Sequence, residues 1–152
     1  MDARVHQGAR QPVTRAVAVD LGTRRIGIAV SDSSGTLAFP RPLVARCGDR
    51  AAEHRAIGQI VDEVGADVVV VGLPLGLDGR RGPAARAAAE EAAELGRALE
   101  GRGVVVETFD ERFTTVAAHA GLASAGTGTR ARRARVDSAA ATVLLQAWLD
   151  AR

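Results

Sequence analysis

The chain has 152 residues, with 20 basic and 18 acidic side chains, and every basic residue is arginine. That length fits one domain with room for a substantial core. No run approaches the roughly 20 apolar residues of a membrane span, and MDARVHQGARQPVTR at the N-terminus lacks the apolar stretch of a signal peptide. Residues 1–14 are therefore expected as a flexible tail, with 15–152 as one cytoplasmic domain. Cys47 stands alone, which excludes an internal disulfide and suits a reducing compartment; it is expected as a small buried or half-buried residue.

Taken in chain order, 15–20 and 25–31 read as two strands of a hairpin joined by a short turn containing glycine. TLAFPRPLV at 36–44 is a third strand, and Pro40 and Pro42 place it at a sheet edge or a strand end. DRAAEHRAIGQIVDEV at 49–64 has Ala52, Ile57, Ile60, Val61 and Val64 at helical spacing, with Asp49 as N-cap. DVVVVG at 67–72 is a β-branched run of the kind covered on both faces. A Gly/Pro loop leads to a helix at about 83–101 with Pro83 in its first turn, then GVVVETF at 103–109 forms the next strand. A short helix is expected from about Thr114, a mobile basic loop at about 121–135, and a last helix at 138–150. That helix carries Val136, Ala139, Ala140, Val143, Leu144, Ala147 and Trp148 as an amphipathic stripe. The order β-β-β-α-β-α-β-α-α predicts an α/β fold: a mixed five-stranded sheet, antiparallel in its first three strands and then built by βαβα crossovers, with helices on both faces.

Acids fall at the ends of these elements. Asp20 closes the first strand, Asp110 and Glu111 follow the strand at 103–109, and Asp137 opens the last helix. Singly, each fits a turn or helix cap. Together they bring carboxylates from separate segments towards one sheet edge, where sites in such sheets cluster. Neighbouring carboxylates raise one another's pKa unless a cation is present. Oxygen ligands without His or Cys companions suit Mg²⁺, or Mn²⁺, rather than zinc. His6, His54 and His119 show no metal-ligand spacing. Gly22 permits close approach of a phosphate, and Thr23 with Arg24 and Arg25 could contact it. Arg80, Arg81 and the RARRAR run containing Arg130, Arg132, Arg133 and Arg135 also fall in predicted loops, so the three clusters could form one basic face. With three Phe, one Trp and no Tyr, contacts to nucleic acid should fall mainly on its backbone.

DLGTRRIGIAVSD at 20–32, VGLPLGLDGRRG at 71–82, TFDERFTTVAA at 108–118 and VDSAAATVLLQAWL at 136–149 occur in order over about 15–150. These motifs resemble the YqgF/RuvX family, whose members are described as Holliday junction resolvases or pre-16S rRNA nucleases. The resemblance implies an RNase H-like fold and a divalent-metal phosphodiesterase site. It assigns Asp20, Glu111 and Asp137 as catalytic metal-holding acids, with Asp110 as the alternative to Glu111, since one residue of register flips the face. Arg112 in the same motif joins the candidate nucleic-acid contacts. Where the family often has lysines before the last acid, this chain has arginines.

The implied activity is cleavage of structured nucleic acid, either precursor 16S rRNA at its 5′ end during ribosome biogenesis or a Holliday junction in DNA recombination. The protein would act as a monomer or homodimer without a membrane partner. A catalytically weak nucleic-acid binder of the same fold is a second reading. A third is an ATP-handling protein, because DLGT also resembles the first phosphate motif of actin-like ATPases; those enclose nucleotide between two such domains, and this chain has length for one.

Overall fold

The small apolar run at 16–21 and the β-branched run at 68–73 lie side by side at the centre of one mixed sheet. A computed structural model describes residues 15–76, 78–113 and 138–152. Its elements are β1 (Ala16–Leu21), β2 (Arg25–Ser31), β3 (Ala38–Ala45), α1 (Arg50–Val64), β4 (Val68–Leu73), α2 (Pro83–Ala98), β5 (Val105–Asp110), a 3₁₀ turn (Glu111–Phe113) and α3 (Ala139–Asp150). The sheet order is β3-β2-β1-β4-β5. The pairs β1–β2 and β2–β3 are antiparallel, whereas β4 runs parallel to both β1 and β5. The expected tail, the helix from Thr114 and the basic loop at 121–135 lie outside the described residues.

Strand alternation sorts the core into two layers. Val17 and Val19 of β1 and Val69 and Val71 of β4 pack with Ile57, Val61, Ala92, Leu95 and Leu99 from the α1–α2 side. Ala16, Ala18, Val68 and Val70 pack on the other face with Ala141, Leu144, Leu145 and Trp148 of α3. Both layers are buried, so β1 and β4 form a spine that offers water only its ends. Proline placement at the edge is as the sequence indicates: Pro40 and Pro42 lie in β3, and the β2–β3 register shifts between Ile26 and Ile28.

Several boundaries and faces differ from expectation. α2 stops at Ala98 and β5 starts at Val105 because Gly101 and Gly103 both take left-handed φ angles, 88° and 72°, which neither a helix nor a strand continues. α3 is buried over most of its circumference instead of along one stripe, and Ala140 faces solvent. Its sheet-facing side is set by Leu144, Leu145, Trp148 and Leu149, because the largest apolar side chains take the desolvated positions. Cys47 is exposed, since it sits in the open connection between β3 and α1. Asp49 caps α1 as expected, accepting a hydrogen bond from Ala52 N at 3.2 Å.

The α3 layer should dominate stability. Leu145→Ala is expected to cost about 2–5 kcal/mol in urea denaturation, whereas Ala140→Ser on the solvent side should stay within about 0.5 kcal/mol.

Candidate active site

Asp20 continues the register of Ala16 and Ala18, so a carboxylate follows two fully buried alanines on the α3 face of β1. The chain must then reverse into β2. Gly22 N–H donates to the carbonyls of Asp20, at 3.0 Å, and Arg25, at 3.1 Å. A Cβ on Gly22 would stand 2.5 Å from the Arg25 carbonyl oxygen, so this narrow turn requires glycine. Thr23, Arg24 and Arg25 follow on its exposed outer side.

The second acidic motif is divided by a change of backbone geometry. Asp110 ends β5, and its carboxylate accepts Arg112 N at 2.9 Å, Arg112 Nε at 2.8 Å and Arg112 Nη2 at 2.5 Å. The Arg112 guanidinium holds the Asp110 carboxyl below the usual carboxylate range. Glu111 begins the 3₁₀ turn and hydrogen-bonds Asp20. Its Oε1 lies over Gly72 of β4, where a Cβ would approach within 2.6 Å, and Leu144 Cδ2 would be 3.1 Å from the same atom. Gly72 therefore makes the space in which Glu111 meets Asp20. In sequence the motif at 71–82 reads as a Gly/Pro loop, with no role of its own for Gly72; the signal for this role was a glycine interrupting a β-branched run.

Burial pushes the Asp20 carboxyl up, partly offset by the hydrogen bond from Glu111. Glu111 is also pushed up, by burial first, then by the Asp20 charge, the shared hydrogen bond and the Asp110 charge. The pair is an acid couple that holds protons tightly. Oxygen donors of this kind fit a hard divalent cation, which would replace the proton between them. Among the described residues no group of three or more His, Cys, Asp or Glu side chains is placed to hold a metal ion. Asp137 lies outside the described residues, as do Arg130, Arg132, Arg133 and Arg135. Ser138, next in sequence to Asp137, is buried at the start of α3; its Oγ accepts from Ile28 N at 3.0 Å and donates to Arg41 O at 2.7 Å.

A cleft of about 630 Å³ opens at the carboxyl ends of β1 and β4, lined by Asp20, Gly22, Thr23, Gly72 and Glu111 among others. Its lining also carries a second set of charges that the motifs did not reveal. Arg46 Nη1 donates to Glu53 Oε1 at 2.9 Å and Glu91 Oε2 at 2.7 Å, and Nη2 donates to Glu91 Oε1 at 3.0 Å. Hydrogen bonds from Arg46 and from Cys47 N hold Glu53 below the ordinary range. Burial pushes Glu91 up, but the hydrogen bonds of Arg46 and His54 outweigh it and leave that carboxyl lowered as well.

The candidate phosphate contacts are distributed unevenly. Arg24, Arg25, Arg80 and Arg81 are all exposed, and Arg80 Nε lies 3.7 Å from Asp78. Arg112, another candidate contact, pairs its guanidinium with Asp110 and lies next to Gly79 of the 74–82 loop. Among the described residues, no helix is long and apolar enough to cross a membrane.

A family model described as "RuvX: Holliday junction resolvase" matches residues 14–151. A protein of Leifsonia xyli subsp. xyli named "Putative pre-16S rRNA nuclease" is 45% identical over 134 residues, covering 88% of this chain and 83% of that protein. A relative of the same name from Mycobacteroides abscessus is 44% identical over 138 residues, covering 91% and 82%. Thermus thermophilus RuvC superposes with a TM-score of 0.58 at 15% identity, and its complex with a Holliday junction substrate with 0.64 at 13%. Each covers 91% of this chain and 95% of the other. This likeness and the observed sheet give the RNase H-like α/β fold that the motifs imply.

The acid pair makes a pH prediction. Because both carboxyls are raised on folding, the folded chain binds these protons more tightly than the unfolded chain. Their contribution is therefore greatest below the ordinary carboxylate range and declines as pH climbs through the raised values. Glu111→Gln keeps a donor towards Asp20 without the charge. In chelator-containing buffer it should raise the Tm at pH 7, and the gain should vanish below about pH 4.

Proposed function

The chain belongs to the RuvX family of Holliday junction resolvases, and from that premise we propose that it is a divalent-metal-dependent endonuclease of structured nucleic acid. Its substrate on this reading is precursor 16S rRNA, trimmed at the 5′ end during ribosome biogenesis in the cytoplasm. The names of relatives 44–45% identical to it support that substrate. The observation that carries the nuclease assignment is the pairing of Asp20 with Glu111, two partly buried, hydrogen-bonded acids at the mouth of a cleft, both raised above the ordinary carboxylate range.

In this site Asp20 and Glu111 would hold Mg²⁺ or Mn²⁺, with Asp137 as the third acid expected from the motifs. When bound, such cations lower the pKa of water and stabilise charge on the attacking and leaving oxygens of a phosphodiester. The chain's own groups supply the positioning. Asp20 pairs with Gly27 of β2 and follows Val19, which is paired on both sides, so its Cα has little freedom. Gly22 and Thr23 leave the cleft beside Asp20 open to a phosphate. Arg24 and Arg25 on the turn, and Arg80 and Arg81 on the loop before α2, are exposed, and on this reading they would meet phosphates flanking the scissile bond. Arg112 would act indirectly, by drawing Asp110 away from Glu111.

The test compares precursor 16S rRNA, a four-way DNA junction and single-stranded controls, each with wild type and Asp20→Asn. Wild type should cleave the precursor with Mg²⁺, and Asp20→Asn should lose at least about 100-fold while remaining folded by circular dichroism. Substantial Mg²⁺-dependent cleavage by Asp20→Asn would sink the assignment. Preferential cleavage of the junction would move the substrate to branched DNA, the activity in the family's description, and would require a dimer to place paired cuts. The basic rim is separable from the chemistry. Replacing Arg80 and Arg81 with alanine should weaken binding for every sequence alike. The slope of log affinity against log salt should fall by about 1 for each phosphate no longer neutralised.

A further inference from the structure

The cluster of Arg46, Glu53 and Glu91 in the cleft lining plays no part in the mechanism above. Resting on that reading of the acid pair, we propose that Arg46 is a positioning residue for the metal-holding acids. It fixes the turn behind Asp20 against α1 and α2, and so sets the orientation from which Asp20 meets a cation.

Residue 46 grips the β1–β2 turn twice. Its backbone N–H donates to Arg24 O at 3.1 Å, and its side-chain Nε–H donates to Gly22 O at 3.0 Å. Gly22 is thereby held at both its backbone groups, because its N–H already donates to Asp20 O and Arg25 O. Only Leu21 separates Gly22 from Asp20, so rotation of the turn would rotate the end of β1.

The rest of the guanidinium is committed elsewhere. Glu53 from α1 and Glu91 from α2 take the Nη donors, and both glutamates are buried. Those glutamates are themselves fixed: Glu53 Oε2 accepts Cys47 N at 2.8 Å, and Glu91 Oε2 lies 3.2 Å from His54 Nε2. Arginine is a rigid planar fork, so once its Nη groups are locked its Nε–H has a single direction. An ion cluster serving only to join α1 to α2 would be complete without that last bond. Nε is the donor that leaves the cluster, and it goes to the turn carrying Asp20. Groups that orient a metal ligand from outside the coordination sphere typically change metal affinity or activity by about 10- to 100-fold.

The test is calorimetric titration of Mn²⁺ into the full-length chain, with thermal melts of each variant. Arg46→Lys keeps the charge between Glu53 and Glu91 but has no fork to reach Gly22 as well. The triple variant Arg46→Met, Glu53→Gln, Glu91→Leu removes all three charges of the cluster together, a change that buried ion clusters often tolerate. It carries the test if the lysine variant fails to fold. The expected result is a near-wild-type Tm with Mn²⁺ affinity reduced about 10- to 100-fold, and cleavage needing correspondingly more Mn²⁺. Agreement between the charge-conserving variant and the charge-free one assigns the loss to the Gly22 bond. Either variant, folded and binding Mn²⁺ as tightly as wild type, overturns the inference alone. Wild type that takes up no Mn²⁺, or an Asp20→Asn variant that binds it undiminished, removes the reading of the acid pair and the inference with it.

Discussion

Two half-buried carboxyls brought together at the end of an apolar sheet are the constraint around which this structure is arranged. Removing an ionised carboxylate from water costs several kcal/mol even after the protein relaxes, and Asp20 and Glu111 meet where β1 and β4 have just carried valine and alanine through the core. The pair can lower that cost by sharing a proton or by taking a cation. The local sequence follows from keeping it in place. Gly22 permits the tight reversal after Asp20, Gly72 leaves a gap for Glu111 beside Leu144, and Arg112 holds the neighbouring Asp110 aside. The two-layered apolar core supplies the stability that such a site consumes.

Much of this frame was legible in the residues. An unbroken β-branched run at 68–73 can be stable only if both its faces are covered, and alternation in β1 fixed which side Asp20 would take. The choice between Asp110 and Glu111 was not legible, because it depends on where β5 gives way to a 3₁₀ turn and on a bidentate arginine two residues later. Local pattern put Leu144 and Trp148 on the inner face of α3 but missed Leu145 and Leu149 and included the exposed Ala140. The orientation of that helix is decided by competition among its large apolar side chains for the sheet. Arg46 lies two residues beyond the proline-bearing strand read at 36–44, and no motif marks it. Its partners lie 7 and 45 residues further along, and no spacing rule connects positions that only the packing of α1 against α2 brings together. Asp137 rests on its place at the opening of the last helix and on the resemblance, and the arginines at 130–135 rest on their charge in a predicted loop.

The same cleft holds acids in two opposite states, and the contrast separates structure from chemistry. Glu53 and Glu91 face a guanidinium, and their carboxyls are lowered, so they remain ionised and the cluster is satisfied within the protein. Asp20 and Glu111 are raised, and each lifts or hydrogen-bonds the other. This chain is rich in arginine and has already placed one in the cleft wall, with its N–H groups bonded to those two glutamates and to the Gly22 carbonyl. A guanidinium inserted between Asp20 and Glu111 would relieve their burial but would also occupy the position a divalent cation needs. Arg46 instead stops at the backbone of the turn, where it can hold Asp20 in place without neutralising it.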